Sequence, residues 1–478
     1  MNLPERASQS TKMYDGSPFI FLLCGVHPCS SIPVHKKRRA PLVRGGIAML
    51  KDQNNSFLNA ISRRDFILKS ATAGAAVMMS RHARAEAAEP YRLGLLLSAT
   101  GSGANYSEGG IKAVTNAVAE INGRGGLLGK HQIELHFRDT QSKPDSAARE
   151  ARDVITRDNV RAVIGTWSSA EALAVEEIID EHKVLHFAAN SNSSRLTHEN
   201  FSPWFFQYSP DTRMESGAIA VVLAEMAKKN NWKSFVSIGQ DYEWARAQQA
   251  GFLEAFNKLV PDVKLSKEFW FKIGETSFGP YISGIMAMKP DFCFGAIAGK
   301  DNVTFIEQAR PAGLFKRTVY PGGLLSLSEL QQLKDALPRG MIGVARAPFY
   351  ALLDQPVMQK YLKMYHAAYG ADAYPSDWAC MHYDAVYGLE QAVTKAGSIE
   401  NEDVRKALTG ATIDTCRGKA TFRACNNQLG VPSYVGTVTD SPDYKFPILD
   451  PKTMTKVSAE QTWLPSCEEV QALQKKRA

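Results

Sequence analysis

No C-x-x-C pair occurs in this sequence, and no H-E-x-x-H or G-x-S-x-G. The first absence removes zinc-knuckle and thioredoxin-like readings, and the others remove common metalloprotease and serine-hydrolase sites. His182, His186 and His198 fall in one region, but at spacings that suit neither a zinc site nor one helix face. Heptads, low-complexity tracts and membrane-spanning apolar runs are all missing after residue 86. At 478 residues the chain is too long for one ordinary domain and suits two or three.

A basic domain is also missing. The net charge of +7 is uneven: residues 1–85 hold 13 Lys/Arg against 4 Asp/Glu, leaving 43 basic and 45 acidic residues in the remainder. A nucleic-acid partner is therefore not expected. The basic segment itself carries Ser62-Arg63-Arg64-Asp65-Phe66-Ile67-Leu68-Lys69, which resembles the twin-arginine export motif. A weakly apolar stretch from Ala71 to Met79 and an A-x-A signature, Ala83-Arg84-Ala85, follow it. The expected reading is a signal peptide over 56–85, a mature chain starting at Glu86 and a periplasmic location. Residues 1–55 lie upstream of that signal and show no sustained periodicity. They are expected to be a non-native or unstructured extension, with Met49 a natural candidate for the true start.

Of seven cysteines, Cys24 and Cys29 fall in that extension. Cys293 sits in the apolar run Asp291–Gly295 and reads as a buried thiol. Cys416, Cys425 and Cys467 are the disulfide candidates, an oxidising compartment permitting one. Cys425–Cys467 is the expected pair, tying down the C-terminal tail, although spacing alone leaves the pairing open.

From residue 90, short apolar runs alternate with helical periodicities. Strands are expected at Tyr91–Ala99, His131–Phe137, Val160–Ile164 and Val184–Ala188, with helices between them. A second series follows Pro210, with strands at Ser234–Ile238, Lys264–Phe271, Phe292–Ala298 and Thr318–Tyr320, and then the run Met341–Ala345. Two strong helices, Val357–Tyr369 and Tyr383–Ala396, come after it. The alternation implies an α/β fold of two doubly wound parallel-sheet lobes. The lobes are expected over 86–209 plus 346–432 and over 210–345 plus 433–455, with a tail at 456–478. Chain crossings fall near 210, 345 and 432. Such folds bind ligands at the carboxyl ends of their strands, beside helix N-termini.

The residues after each strand are therefore the ones to read. Gly101-x-Gly103 follows the first strand, but Tyr106 replaces the third glycine of a dinucleotide fingerprint and Asp139 comes too late for ribose. A turn presenting Tyr106 to a ligand, or a plain surface turn, remains. Gly165-Thr166-Trp167-Ser168-Ser169 follows the third strand. Ser168 or Ser169 caps the next helix, and its hydroxyl with the free helix amides could hold a carboxylate. Asn190-Ser191-Asn192 follows the fourth strand and would face the cleft. In the second lobe, Tyr242 and Trp244 follow a strand and suit stacking on an apolar or planar ligand group; the other reading is packing on the lobe's own helix.

Taken in order, Tyr106, Ile121–Gly126 with Leu128-Gly129, Gly165–Ser169, Asp241–Trp244 and Tyr383–Val386 resemble the branched-chain amino-acid-binding family of periplasmic proteins that serve ABC importers. The resemblance spans about 91 to 440. It implies two lobes joined by a three-crossing hinge that shut on a small ligand, and then docking on a membrane permease. Carried over by position, Ser169 and Asn190–Asn192 would hold a ligand carboxylate and Trp244 would cover the ligand. Trp378–Met381 would line the cleft near the hinge. The resemblance implies a binding protein without a cofactor and without catalysis, and a monomer or weak dimer is expected. In amino-acid-binding members an acidic residue after the later second-lobe strand holds the ammonium. Here Pro321-Gly322-Gly323-Leu324 stands after the expected strand, with no carboxylate, so an aromatic or aliphatic acid or an amide is expected to fit better than an amino acid. A ligand sensor of the same fold and an exported cofactor enzyme are the alternatives.

Overall fold

The computed structural model describes residues 88–462 and 465–477; the export signal, the start at Glu86 and the 1–55 extension lie outside the described residues. The first lobe is built on β1 (Tyr91–Leu97), β2 (Ile133–Asp139), β3 (Ala162–Gly165), β4 (Leu185–Ala188) and β5 (Phe205–Gln207). All pair in parallel, in the order β2-β1-β3-β4-β5. Strands β3 and β4 are fully buried, and apolar but for His186, because both of their faces are covered. Edge strand β2 is only partly buried, so its sequence alternates. Helices α1 (Ala104–Gly123), α2 (Pro144–Thr156) and α3 (Ser169–His182) make the crossovers.

The second lobe runs α4 (Thr212–Asn230), β6 (Ser234–Gln240), α5 (Glu243–Leu259), β7 (Lys264–Phe271), α6 (Gly279–Met288), β8 (Phe292–Ala296), α7 (Gly299–Ala309), β9 (Pro321–Leu324), α8 (Leu327–Leu333) and β10 (Ile342–Ala345). Strands β7-β6-β8 are parallel, and β9 is parallel to β10. Phenylalanines interleave beneath β6 and β8: Phe235 stacks on Phe292 at 4.6 Å and Phe252 on Phe294 at 4.0 Å.

Two expectations need correction here. The later strand is β9, at 321–324 and not 318–320; Val319 makes only an isolated bridge to Phe292. The Pro-Gly-Gly run, placed after the expected strand, belongs to the strand itself: Pro321 occupies its first position, where a missing N–H costs little. The second lobe also has two sheets, a parallel one in the order β7-β6-β8 and a mixed one that starts from β9 and β10. The chain returns to the first lobe for α9 (Pro356–Tyr369), α10 (Asp377–Ala396), α11 (Asn401–Leu408) and the hairpin β11 (Thr412–Thr415) with β12 (Gly418–Thr421). It then adds β13 (Ser433–Thr439) antiparallel to β10, with β14 (Ile448–Leu449) and β15 (Thr455–Val457) on β13.

The chain passes between the sheets after β5, after β10 and before β13. Cys425, after β12, is bonded to Cys467 at the start of α12 (Cys467–Arg477), with Cα atoms 5.6 Å apart. Cys293, Cys380 and Cys416 are buried free thiols. Among the described residues, no helix is long and apolar enough to cross a membrane.

Candidate functional site

Strand ends from both lobes enclose a cavity of about 250 Å³. The residues expected from the first lobe, Tyr106, Trp167, Ser168, Ser169, Asn190, Ser191, Asn192 and Trp378, all line it, as do Tyr242 and Trp244 from the second. Of the segment Trp378–Met381, however, only Trp378 reaches the cavity. Ala379, Cys380 and Met381 turn into the core, as a helical period demands.

The choice between Ser168 and Ser169 is settled by the start of α3. Ser168 is the N-cap, in a capping box with Glu171: its Oγ accepts the Glu171 amide at 3.2 Å, and its own amide donates to Glu171 Oε2 at 2.8 Å. Ser169 is the first helical residue and is 2 % exposed. Its Oγ accepts the amides of Asn192 (3.3 Å) and Ser193 (3.0 Å), so both lone pairs are spent and its proton is left to donate. The first amides of α3 have no carbonyl one turn earlier to bond. Gly103 lets the preceding loop fit, since a Cβ there would lie 2.2 Å from the Trp167 ring.

The Asn190–Asn192 loop is less available than expected. Asn192 Nδ2 is spent on the Pro210 carbonyl and Glu215, both at 2.8 Å, and the Asn190 carbonyl accepts from Arg346. Ser191 Oγ is buried with no protein partner.

From the second lobe, Tyr242 is the N-cap of α5, with its ring 6.0 Å from that of Trp244. Behind them lies Asp301, 5 % exposed and lining the cavity. Asp301 Oδ2 accepts Gln240 Nε2 (2.8 Å) and the Gly274 amide (2.9 Å), which leaves Oδ1. The expectation that no carboxylate follows the later second-lobe strand needs correction, and a second acidic group stands after an earlier strand. Asp301 opens α7 after β8, and the residues that follow the true strand β9 include Glu329. Glu329 accepts the Tyr106 hydroxyl at 2.6 Å instead of lining the cavity. Burial first, and the Glu329 carboxylate second, push the Tyr106 phenol up and keep it a donor.

Arg346, directly after β10, is 2 % exposed and lines the cavity at the second crossing. Its guanidinium pairs with Glu215 through both carboxylate oxygens and donates to the Asn190 carbonyl at 2.9 Å. It lies 4.7 Å over the Trp378 ring. Arg346, Lys300, Asp301 and Gln240 were missed although strand ends announce all four. The same rule applied after Phe292–Ala298 and after Met341–Ala345 reaches the first three. Buried His186 is held between Glu176 and the Gly165 carbonyl.

A family model described as periplasmic binding protein matches residues 90–443. A leucine-, isoleucine-, valine-, threonine- and alanine-binding protein of Pseudomonas aeruginosa is 24% identical over 339 residues, covering 70% of this chain and 86% of that one. A periplasmic binding protein from Burkholderia mallei superposes with a TM-score of 0.70 at 21% identity, over 80% of this chain and 99% of that one. A solute-binding protein of an ABC transporter from R. palustris, crystallised with benzoate, has a TM-score of 0.65 at 21% identity, over 77% and 96%. With three crossings, a cleft at the strand ends and a match over most of its length, this chain belongs to the periplasmic binding protein family.

Proposed function

We propose that the protein captures a small carboxylate-bearing ligand between its lobes and presents it to the permease of an ABC importer. In this reading the lobes comprise 86–209 with 346–432 and 210–345 with 433–455, and export through the Arg63-Arg64 signal delivers the chain to the periplasm. The carrying observation is Ser169, whose hydroxyl has only its proton to offer at a helix N-terminus in the cleft wall. The hydroxyls of Ser168 and Ser169 serve a cap and loop amides and are bonded to no histidine, which supports capture over catalysis.

Asp301 Oδ1 across the cavity supports a ligand that also carries a donor, and an α-amino acid places its ammonium there. The aromatic wall of Tyr106, Trp167, Tyr242, Trp244 and Trp378 favours a second reading, a hydroxylated aromatic acid whose phenol meets Asp301. The P. aeruginosa relative and the benzoate-bound neighbour stand on either side of that choice.

A thermal-shift panel separates them. A ligand at 100 times its Kd adds about 2.7 kcal/mol of stability. Leucine-like amino acids, or hydroxybenzoates, should raise the melting temperature, and the matching carboxamides should not. Equal shifts from acid and amide, or none from any carboxylate, would sink the proposal.

A further inference from the structure

Glu329 occupies the N3 position of the short helix α8, and its two carboxylate oxygens do different things. Oε2 is held within its own lobe by the Ser326 amide (3.1 Å), the Ser326 hydroxyl and the Ser328 hydroxyl (2.9 Å). Oε1 receives the Tyr106 hydroxyl of the opposite lobe at 2.6 Å and the Gly299 amide, at the start of α7, at 3.2 Å. The carboxylate is 2 % exposed.

Its two partners are themselves packed together. Gly299 has a φ of +69°, and a Cβ there would lie 2.7 Å from the Tyr106 oxygen, so only glycine admits the phenol against that backbone. The other side of the Tyr106 ring is edge-on to Trp378, with centroids 5.1 Å apart. Tyr106, Gly299 and Trp378 line the cavity, whereas Glu329 stands one layer behind them.

We propose that Glu329 is a positioning residue for ligand retention. Its carboxylate clasps Tyr106 across the shut cleft and pins the start of α7, so that Asp301, two residues beyond Gly299, is held against the bound molecule. The retention half rests on the cleft being the ligand site; the clasp itself does not. A buried bond from a hydroxyl to an ionised carboxylate is charge-assisted and among the stronger hydrogen bonds. It exists only when the lobes meet. It therefore slows opening and release much more than it affects entry, which starts from the open form.

Tyr106→Phe deletes only the clasping hydroxyl. Glu329→Gln keeps a residue that completes the capping box but removes the charge. Stopped-flow tryptophan fluorescence with L-leucine and with benzoate should show koff raised about 3- to 30-fold in each variant and kon within about twofold. The double variant should be no faster than the faster single one, because both remove one bond. Small-angle scattering of the ligand-free variants should give a larger radius of gyration than the parent chain.

Multiplicative effects on koff, or a lowered melting temperature with koff and ligand-free dimensions unchanged, would overturn the clasp and leave Glu329 a helix cap. If neither probe binds the parent chain and the ligand-free variants still expand, the ligand reading fails while the clasp stands.

Discussion

At the scale of single residues, the wall of the cleft is made of groups whose other bonds are already spent. Ser169 offers one proton, Asp301 one oxygen, and Arg346 the N–H groups left after Glu215 and Asn190. Removing such a group costs the ligand contact and the local order behind it. Ser169→Ala should weaken binding by about 1–2 kcal/mol, because the Asn192 and Ser193 amides also lose their acceptor. Trp244→Ala, which strips a 7 % exposed indole from the second-lobe wall, should cost about 1–3 kcal/mol of affinity by titration calorimetry. Unchanged affinity in both would move the site elsewhere. Arg346 differs, since its first partner is Glu215. Arg346→Met leaves a buried carboxylate without its cation and should cost about 3–5 kcal/mol of folding stability, read from the urea midpoint. Adding Glu215→Gln should recover much of that loss. A double variant as unstable as the single would show that packing on Trp378, and not charge, is what Arg346 provides.

At the scale of elements, most strands and helices were legible because buried parallel strands are short apolar runs and their helices are amphipathic. The ten residues expected at strand ends and near the hinge line one cavity. What stayed illegible has physical causes. Strand β9 is made of Pro321, two glycines and one leucine, so propensity pointed to a turn, and the misplaced strand hid Glu329. Asp301 and Arg346 stand after strands and were within reach of the same strand-end rule, which was not carried to those two strand ends. Strand β13 completes the mixed sheet after a long excursion through the first lobe, and no local pattern announces that pairing. The C-terminal segment shows the same long-range logic. Strand β15 belongs to the mixed sheet of the second lobe, while Cys467 is bonded to Cys425, whose neighbour Gln428 bridges to Gln207 on β5 of the first. The disulfide closes a ring with a sequence separation of 42, for which chain entropy gives about 4 kcal/mol. Reduction should lower the urea midpoint accordingly, with Cys293, Cys380 and Cys416 buried and already reduced. An unchanged midpoint would mean that the bond is ornamental to stability.

At the scale of the whole molecule, buried titratable groups gather where the lobes join. Asp211, at the first crossing, and Asp377, which accepts the Arg346 amide at the second, are each pushed up to about 6, chiefly by burial. His198, 3.8 Å from Asp211, is pushed down to about 3, and His382, bonded to the Trp378 carbonyl, to about 4, again by burial before anything else. The signs oppose. A raised carboxyl contributes stability that is complete below its ordinary value of 3.8 and is lost as pH rises through about 6. A depressed imidazole contributes stability that is complete above its ordinary 6.5 and is lost as pH falls towards 3 or 4. Between about pH 4 and 6 two groups of each kind act together, each with a slope of at most about 1.4 kcal/mol per pH unit, so their contributions nearly cancel. Asp211→Asn should break that balance. Asparagine still caps the Met214 amide at the start of α4, so the variant should fold. It escapes the cost of an ionised buried carboxylate, so relative to the parent chain it should gain about 2 kcal/mol between pH 4.5 and 7.5. Urea midpoints at the two pH values measure that difference. A constant offset between variant and parent would mean that Asp211 keeps one charge state across the range, and that the hinge does not feel pH through it.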